Sequence, residues 1–530
     1  MRYLLFARGL ISFCQCSTLS EVSEQPPNFI IILADDLGYS DLSCYGGEIH
    51  TPHLDELAAS GIQFTNFYNA ARCCPTRASL LTGRYPHEVG LGKMVSWEPP
   101  DDEALASFSP NQGFLNASPT IGELLQSYGY STYLSGKWHV GEHRPNWPVD
   151  RGFDRSYALI SGAMNYWDIN KAKQTNIIRT FVEDSIRINP SETAGFYSTT
   201  AYTNRAISFL EHHRLTTPKK PFFLYLGYQA PHWPLHAPEA LIQQYLPLYK
   251  EGWTVIRSKR IARQRELGLL SQVATISPAD EIVTDWQALD SLQRDTMVRK
   301  MATHAAMVHF MDEQIGRLVK QLAENDQLEN SLILFLSDNG ASAESGPLGH
   351  NFRPDLKGQI GTVDSYHSLG INWANACNAP FRKYKAWTYE GGAATPAILS
   401  WPRQVNTGWR SDQVLHVMDV WPTIQEIVAL NDSETGWETV EISGRSFFSV
   451  LQVNQPTSDR FIGWEHYGHG AARRGPWKIV ARSPEVPWEL YNLIEDPTEQ
   501  NNQAIEKPQL LRELVQAYEA WISGIEAGHN

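Results

Sequence analysis

Asn28–Ala34, NFIIILA, followed at once by Asp35 and Asp36, is the stretch on which the fold turns. An unbroken apolar run this short, rich in β-branched residues, reads as a strand covered on both faces rather than as a helix or a half-exposed strand. It stops abruptly at two carboxylates. Three other runs behave alike. Ser131–Ser135 (STYLS) leads into Gly136, Lys137, Trp138 and His139; Phe222–Leu226 (FFLYL) leads through Gly227 to Pro231, His232 and Trp233; Ser331–Leu336 (SLILFL) leads into Ser337, Asp338, Asn339 and Gly340. Helical patterns at Thr120–Tyr128 and His304–Leu322 lie between them. Strands alternating with helices predict an α/β fold, a large and mostly parallel sheet flanked by helices. A parallel sheet gathers its strand ends along one edge, where ligands bind.

Taken singly, each strand end has an ordinary reading. Asp35-Asp36 suits a turn or a helix cap, Asp338-Asn339-Gly340 suits a turn, Lys137 and His139 suit a solvated loop, and His232 among prolines suits a structural histidine. Their common position after buried strands makes them candidates for one site.

The rest of the composition narrows the class. With 530 residues, 42% hydrophobic and 19% charged, and with 17 Trp and no fixed repeat, the chain is a globular protein large enough for one main domain and a smaller one. The net charge of -14 argues against a nucleic-acid surface. Six cysteines (Cys14, Cys16, Cys44, Cys73, Cys74, Cys377) are too few and too scattered for a disulfide framework. The start, MRYLLFARGLISFCQCSTLS, reads as a signal peptide although Arg8 interrupts it, which predicts a periplasmic or secreted protein, the alternative being a cytoplasmic one. No later run approaches the ~20 apolar residues a membrane helix needs, so stable membrane insertion is not expected.

Ala71–Tyr85, ARCCPTRASLLTGRY, carries the most specific signal. Pro75 suits a first helical turn and Gly83 a stop, so Cys73 is expected at a helix N-terminus, where amide groups and the dipole favour an anion. On its own the Cys-Cys pair reads as a buried apolar pair or a metal clip. The segment Cys73-Cys74-Pro75-Thr76-Arg77, with Leu81-Thr82-Gly83-Arg84, resembles the signature C-x-P-S/T-R-x-x-x-L-T-G-R of the sulfatases. The resemblance extends to Thr51–Tyr68, Gly136–Gly141, Arg151–Asp154, Ser337–Glu344, Lys383–Gly392 and Trp488–Asn502.

What the resemblance implies is specific. The fold would be alkaline-phosphatase-like. Cys73 would be oxidised to formylglycine (3-oxoalanine) by a formylglycine-generating enzyme, with Cys74 in the motif's unconstrained position. Asp35, Asp36, Asp338 and Asn339, with the modified residue 73, would bind a divalent cation; an all-oxygen set selects Ca²⁺, or Mg²⁺. Arg77 would hold the formylglycine and offset the carboxylates. Lys137, His139, His232 and Lys385 would surround the sulfate, Lys385 being preferred to Lys383 by counting back from Tyr389-Glu390-Gly391-Gly392. The hydrated aldehyde would attack sulfur, His232 or Lys385 would protonate the leaving alcohol, and His139 would assist the release of sulfate. The substrate would be a sulfated small molecule or saccharide, of the arylsulfatase-like branch.

The domain division expected from the pattern is a possible signal peptide or N-terminal extension over 1–25, a catalytic domain over 26–455, and a small α+β domain over 456–530. Within the last, Phe461–Glu465, Trp477–Ala481 and Glu489–Leu493 read as strands of an antiparallel sheet and Pro508–Ile522 as a helix. His466 is a candidate for substrate contact, its other reading being packing. The basic stretch Arg257–Arg265 reads as a solvated helix face, its other reading being substrate binding. Two other functions stay open at this point: a phosphonate or phosphodiester hydrolase of the same superfamily, and a sulfatase-like binding protein without turnover.

Overall fold

The computed structural model describes residues 25–99, 101, 108–172, 179–405, 408–430, 440–452 and 459–526. Gln25 apart, the segment read as a signal peptide lies outside them. Among the described residues one large sheet holds eleven strands. In chain order they are β1 (Asn28–Asp35), β2 (Ile62–Tyr68), β3 (Ser131–Lys137), β4 (Arg155–Leu159), β5 (Phe181–Glu183), β6 (Ile186–Arg187), β7 (Phe222–Pro231), β8 (Ser331–Ser337), β9 (Ala394–Ser400), β10 (Trp409–Ser411) and β11 (Leu415–His416). They run β10-β2-β9-β8-β1-β7-β3-β4-β5-β6 across the sheet, with β11 beside β2. The four central strands β8, β1, β7 and β3 are mutually parallel.

The alternation hidden in the apolar runs appears as two cores. Ile30, Ile32, Leu224, Leu226, Ile333 and Phe335 pack on one face, against Met301, Ala305, Val308 and Met311 of the helix Ser291–Glu324. Phe29, Ile31, Leu33, Phe223, Tyr225, Leu334 and Leu336 pack on the other, against the helices Cys73–Thr82, Ile121–Ser127 and Val420–Ala429. Each fully buried Leu or Ile contributes ~1.5–3 kcal/mol, so the central strands have no polar face to turn to water. The long helix begins at Ser291, well before the His304 expected from the periodicity. Its first turns are polar and exposed, but Asp290 caps them by accepting from the Gln293 amide at 2.8 Å.

Register brings the strand ends together. Ala34 pairs with Ser337, Leu33 with Gly227, and Gly136 with Gly227, so the residues that follow emerge on one edge. Gly136, at φ 119°, is needed there: a Cβ would stand 1.9 Å from the Gly227 carbonyl oxygen.

A separate four-stranded antiparallel sheet contains β12 (Phe461–His466), β13 (His469–Arg474), β14 (Trp477–Ala481) and β15 (Glu489–Asn492) in that order. β13, HGAARR, was not anticipated, because its small and basic residues carry no apolar alternation. It is placed by the two-residue turn Tyr467-Gly468, both at positive φ, which folds it back on β12. The helix Pro508–Glu526 covers this sheet through Leu514 against Ala472, Ile479 and Leu490. Lys478 of β14 ties it to the large sheet's side through Glu390 at 2.6 Å.

Arg257–Arg265 is not a solvated face. The helix Trp253–Glu266 buries the stripe Trp253, Ile256, Arg257, Arg260, Ile261 and Gln264, while Ser258, Lys259 and Arg263 are exposed. Charge alone did not reveal that the 3.6-residue period points two arginines inward, where carboxylates and carbonyls await them.

Candidate functional site

Cys73 opens the helix Cys73–Thr82, as its motif predicts. Arg72 is the extended residue before it, and Gly83 at φ 70° closes the helix, its amide donating to the Ser79 carbonyl at 2.9 Å. Every residue of this helix is buried, so its N-terminus is presented at the strand ends rather than to solvent. Thr76 fixes the approach by accepting from the Ala70 amide at 2.9 Å.

Around Cys73 lie the groups that the four strand ends deliver. Ligand atoms of Asp35, Cys73 and Asp338 fall within 4.8 Å of one another, as do those of Asp35, Asp36 and His232. Lys137 Nζ contacts Asp35 Oδ2 at 2.6 Å and Lys385 Nζ contacts Asp36 Oδ1 at 2.8 Å. Arg77 holds Asp338 Oδ2 through Nε at 3.0 Å and Nη2 at 2.8 Å, and donates through Nη1 to the Lys137 carbonyl at 2.9 Å. Asn339 Nδ2 donates to Asp36 Oδ1 at 2.7 Å. Lys383, the competitor of Lys385, points elsewhere and pairs with Asp280 at 2.6 Å.

Strained backbone concentrates here. Asp36, Ala71, His139, Lys383 and Ala386 all have positive φ, a conformation that costs a non-glycine residue of the order of 1 kcal/mol or more and persists where surrounding structure enforces it. His139 also exploits Gly162, where a Cβ would stand 2.6 Å from its Nε2.

The electrostatics are those of an anion site built over crowded carboxylates. Burial, then repulsion from Asp338, holds the Asp35 carboxyl well above its usual range despite Lys137. Burial opposes the charge of Lys385, but Asp36, Cys73 and Glu344 outweigh it and keep the ammonium protonated. Burial, followed by the nearby lysines, pushes both His139 and His232 well below the ordinary imidazole range. His232 Nδ1 lies 2.5 Å from the Trp233 carbonyl oxygen, which makes it the donor and leaves Nε2 facing Asp36 Oδ2 at 3.5 Å.

Two buried oxygens, Asp35 Oδ1 and Asn339 Oδ1, have no hydrogen-bond partner among the described residues. Buried acceptors are rarely left so. With Asp36 and Asp338 beside them they form an oxygen-rich set suited to a hard divalent cation.

Other residues were not all foreseen. Cys74 is fully buried, and its Sγ is 3.4 Å from Nε2 and 3.6 Å from Nδ1 of His139. Near-equal distances place the sulfur against the imidazole face, so the position is packed rather than free. Arg72 and Glu344, 3.2 Å apart, form the rim, with side chains 20% and 26% exposed. The sequence pattern assigned neither a role, although both stand inside the family's motifs. His466 is buried, with Nδ1 3.3 Å from the Gly92 carbonyl oxygen. Burial and then the charge of Arg72 lower its pKa to about 3.

Comparison with known proteins gives the same reading. The family model described as Sulfatase matches residues 27–429. An uncharacterized sulfatase from Schizosaccharomyces pombe is 33% identical over 94% of this chain and 94% of its own length. An arylsulfatase from Klebsiella aerogenes is 32% identical over 78% of this chain and 89% of its own. Among solved structures, Ps i-CgsB superposes with a TM-score of 0.68 at 26% identity, covering 94% of this chain and 93% of that one. The chain therefore belongs to the sulfatase family and is a sulfuric ester hydrolase.

Proposed function

We propose that the protein hydrolyses sulfate monoesters of saccharides or aryl alcohols, using an oxygen nucleophile formed from Cys73 and a divalent cation, Ca²⁺ or Mg²⁺. The observation that carries this reading is the pair of unpartnered oxygens, Asp35 Oδ1 and Asn339 Oδ1, beside Asp36, Asp338 and Cys73. These five residues would hold the cation. Cys73 matured to formylglycine would offer its hydrate as the nucleophile, and the cation would lower that hydroxyl's pKa and stabilise charge on the sulfuryl oxygens.

This chain's own side chains do the remainder. Arg77 neutralises Asp338 and keeps its carboxylate aimed at the helix start. Lys137 and Lys385, each within 2.8 Å of a carboxylate, are fixed where negative charge accumulates in the transition state, which costs no reorganisation during reaction. His232, donating through Nδ1 to the Trp233 carbonyl, turns Nε2 into the cleft, where as the imidazolium, a form that the charge of a bound sulfate favours, it would give a proton to the leaving oxygen. His139, held by Gly162 and Cys74, is placed to take a proton from the hydrate as sulfate departs.

The same reading brings a formylglycine-generating enzyme as maturation partner, export to the periplasm or cell exterior, and a small domain over 456–530 beside a catalytic one over 26–455. A crystal structure of Ps i-CgsB contains k-i-k-neocarrahexaose, which favours a saccharide over a simple aryl ester as the natural substrate class. The test is the ratio of turnover on an aryl sulfate to that on an aryl phosphodiester, measured with protein shown by elemental analysis to contain the cation. A sulfate preference lost on chelation and restored by Ca²⁺ or Mg²⁺ is expected. Preference for the diester, or full activity without metal, would overturn the proposal.

A further inference from the structure

Lys137, His139, His232 and Lys385 are buried, so a sulfuryl group among them leaves the alcohol of its ester projecting outward. What it meets is the rim. Arg72 and Glu344 are reached by solvent there, and Glu344 joins three elements. Its Oε1 contacts Arg72 Nη2 at 3.2 Å and lies 3.7 Å from Lys385 Nζ, while its Oε2 accepts from the Trp233 indole. The Glu344 side chain thus spans the residue before Cys73, a sulfate-facing lysine and the residue after His232. Its carbonyl oxygen is fixed as well, accepting from Ser368 Oγ at 3.2 Å.

A carboxylate in this place is unexpected for an enzyme that must attract an anion, since it repels the substrate's charge. Burial opposes that charge, but Lys385 and Arg72 outweigh burial and hold the Glu344 pKa down at about 2, so it is ionised at neutral pH. An ionised carboxylate only accepts hydrogen bonds. It therefore suits a hydroxyl or an amine on the carbon next to the ester and disfavours a second anion there.

The geometry points to Glu344 as a specificity residue that accepts a hydrogen bond from the group neighbouring the scissile sulfate, selecting esters with a neutral or cationic donor there over those with a carboxylate or second sulfate. This rests on the sulfatase reading above and narrows its substrate class to esters flanked by a free hydroxyl or amine.

The experiment compares the mature, metal-loaded enzyme with its Glu344→Gln variant on three probes: phenyl sulfate, catechol monosulfate with its neighbouring hydroxyl, and salicylate O-sulfate with its neighbouring carboxylate. For each probe the quantity is the variant-to-parent ratio of kcat/KM, in which the intrinsic reactivity of the leaving group cancels. Glutamine can keep the acceptor for Trp233, but it removes the charge and turns an amide NH2 toward Arg72 and Lys385. Measured against the ratio for phenyl sulfate, which absorbs any effect on Lys385, the expected ratio is about tenfold lower for catechol monosulfate and at least tenfold higher for salicylate sulfate. A Glu344→Asp variant, which keeps the charge, should still discriminate against the salicylate ester. Equal ratios for all three probes would overturn the role given to Glu344 while leaving the sulfatase reading intact. No hydrolysis of any probe by the parent enzyme would overturn both.

Discussion

Two buried acidic clusters hang on the same segment of chain, and they differ in one respect. Asp35 ends β1 and Asp36 follows it, both at the cleft; Asp41, five residues beyond Asp36, turns instead to Arg260 and His304. Asp41 is saturated: Oδ1 meets Arg260 at 2.7 Å, and Oδ2 meets His304 at 2.9 Å and the Gly38 amide at 2.9 Å. Glu48 completes the cluster, holding Arg260 at 2.8 Å and accepting from Tyr249 at 2.7 Å. Burial raises the Asp41 pKa, yet His304 and Arg260 overcome it and bring it to about 2. Asp35, equally buried, is driven the other way and keeps an oxygen without a partner. Asp41, His304 and Cys377 also come within ligand distance of one another, but the guanidinium already seated on Asp41 takes the place a cation would fill. Of these two clusters, the saturated one is architecture and the one with an unpartnered oxygen is the candidate site.

Substitutions should separate the clusters. Cys73→Ala is expected to remove essentially all turnover with little change in Tm, because the lost thiol leaves the helix and its neighbours in place. Arg260→Met should act oppositely: breaking a buried pair by removing one partner costs about 3–5 kcal/mol, with activity per folded molecule retained. A thermal melt alongside an activity assay checks both. Loss of turnover in a fully folded Arg260→Met protein would dissolve the distinction.

The paired Asn substitutions sharpen it. In metal-free protein, Asp35→Asn should cost clearly less stability than Asp41→Asn, because relief of a crowded and incompletely bonded carboxylate offsets the loss of Lys137's partner, while turnover falls away. Asp41→Asn brings no such relief, since both its carboxylate oxygens are bonded. Denaturant midpoints of the two variants against the parent decide this, and an equal or larger loss for Asp35→Asn would contradict it.

Acid should remove stability that Asp41 supplies and Asp35 does not. A carboxyl whose folded pKa is depressed gives stability that is present above its unfolded value near 3.8 and lost as pH falls through about 2. The increment is roughly 2 kcal/mol, since each tenfold difference in proton affinity between the folded and unfolded chain is worth about 1.4 kcal/mol. The parent should lose this increment between about pH 4 and pH 2, and Asp41→Asn should not. The smallest effect is expected at Cys74. Cys74→Ser should lower kcat/KM by less than tenfold, since the sulfur packs on the His139 face without occupying its nitrogen axes.

The strand ends could be read from sequence because a parallel sheet has simple grammar: an apolar run, then a polar group at the edge where the ends gather. Asp35, Lys137, His232 and Asp338 follow that rule, and the cysteine motif supplied the helix start. Arg260 could not be read in this way. Its partners Asp41 and Glu48 are more than two hundred residues away, and a lone arginine on a basic helix carries no mark of the side it faces. Glu344 was hidden for a related reason, since its meaning lies in touching Arg72, Lys385 and Trp233 at once. β13 escaped because a turn, not a hydrophobic pattern, sets it in place.

Peptide mass spectrometry on the fragment containing residue 73, taken from protein that is hydrolysing an aryl sulfate, tests the central claim most directly. The account predicts an aldehyde in place of the Cys73 thiol, with Cys74 unchanged. Fully active protein in which Cys73 is an unmodified cysteine would contradict it.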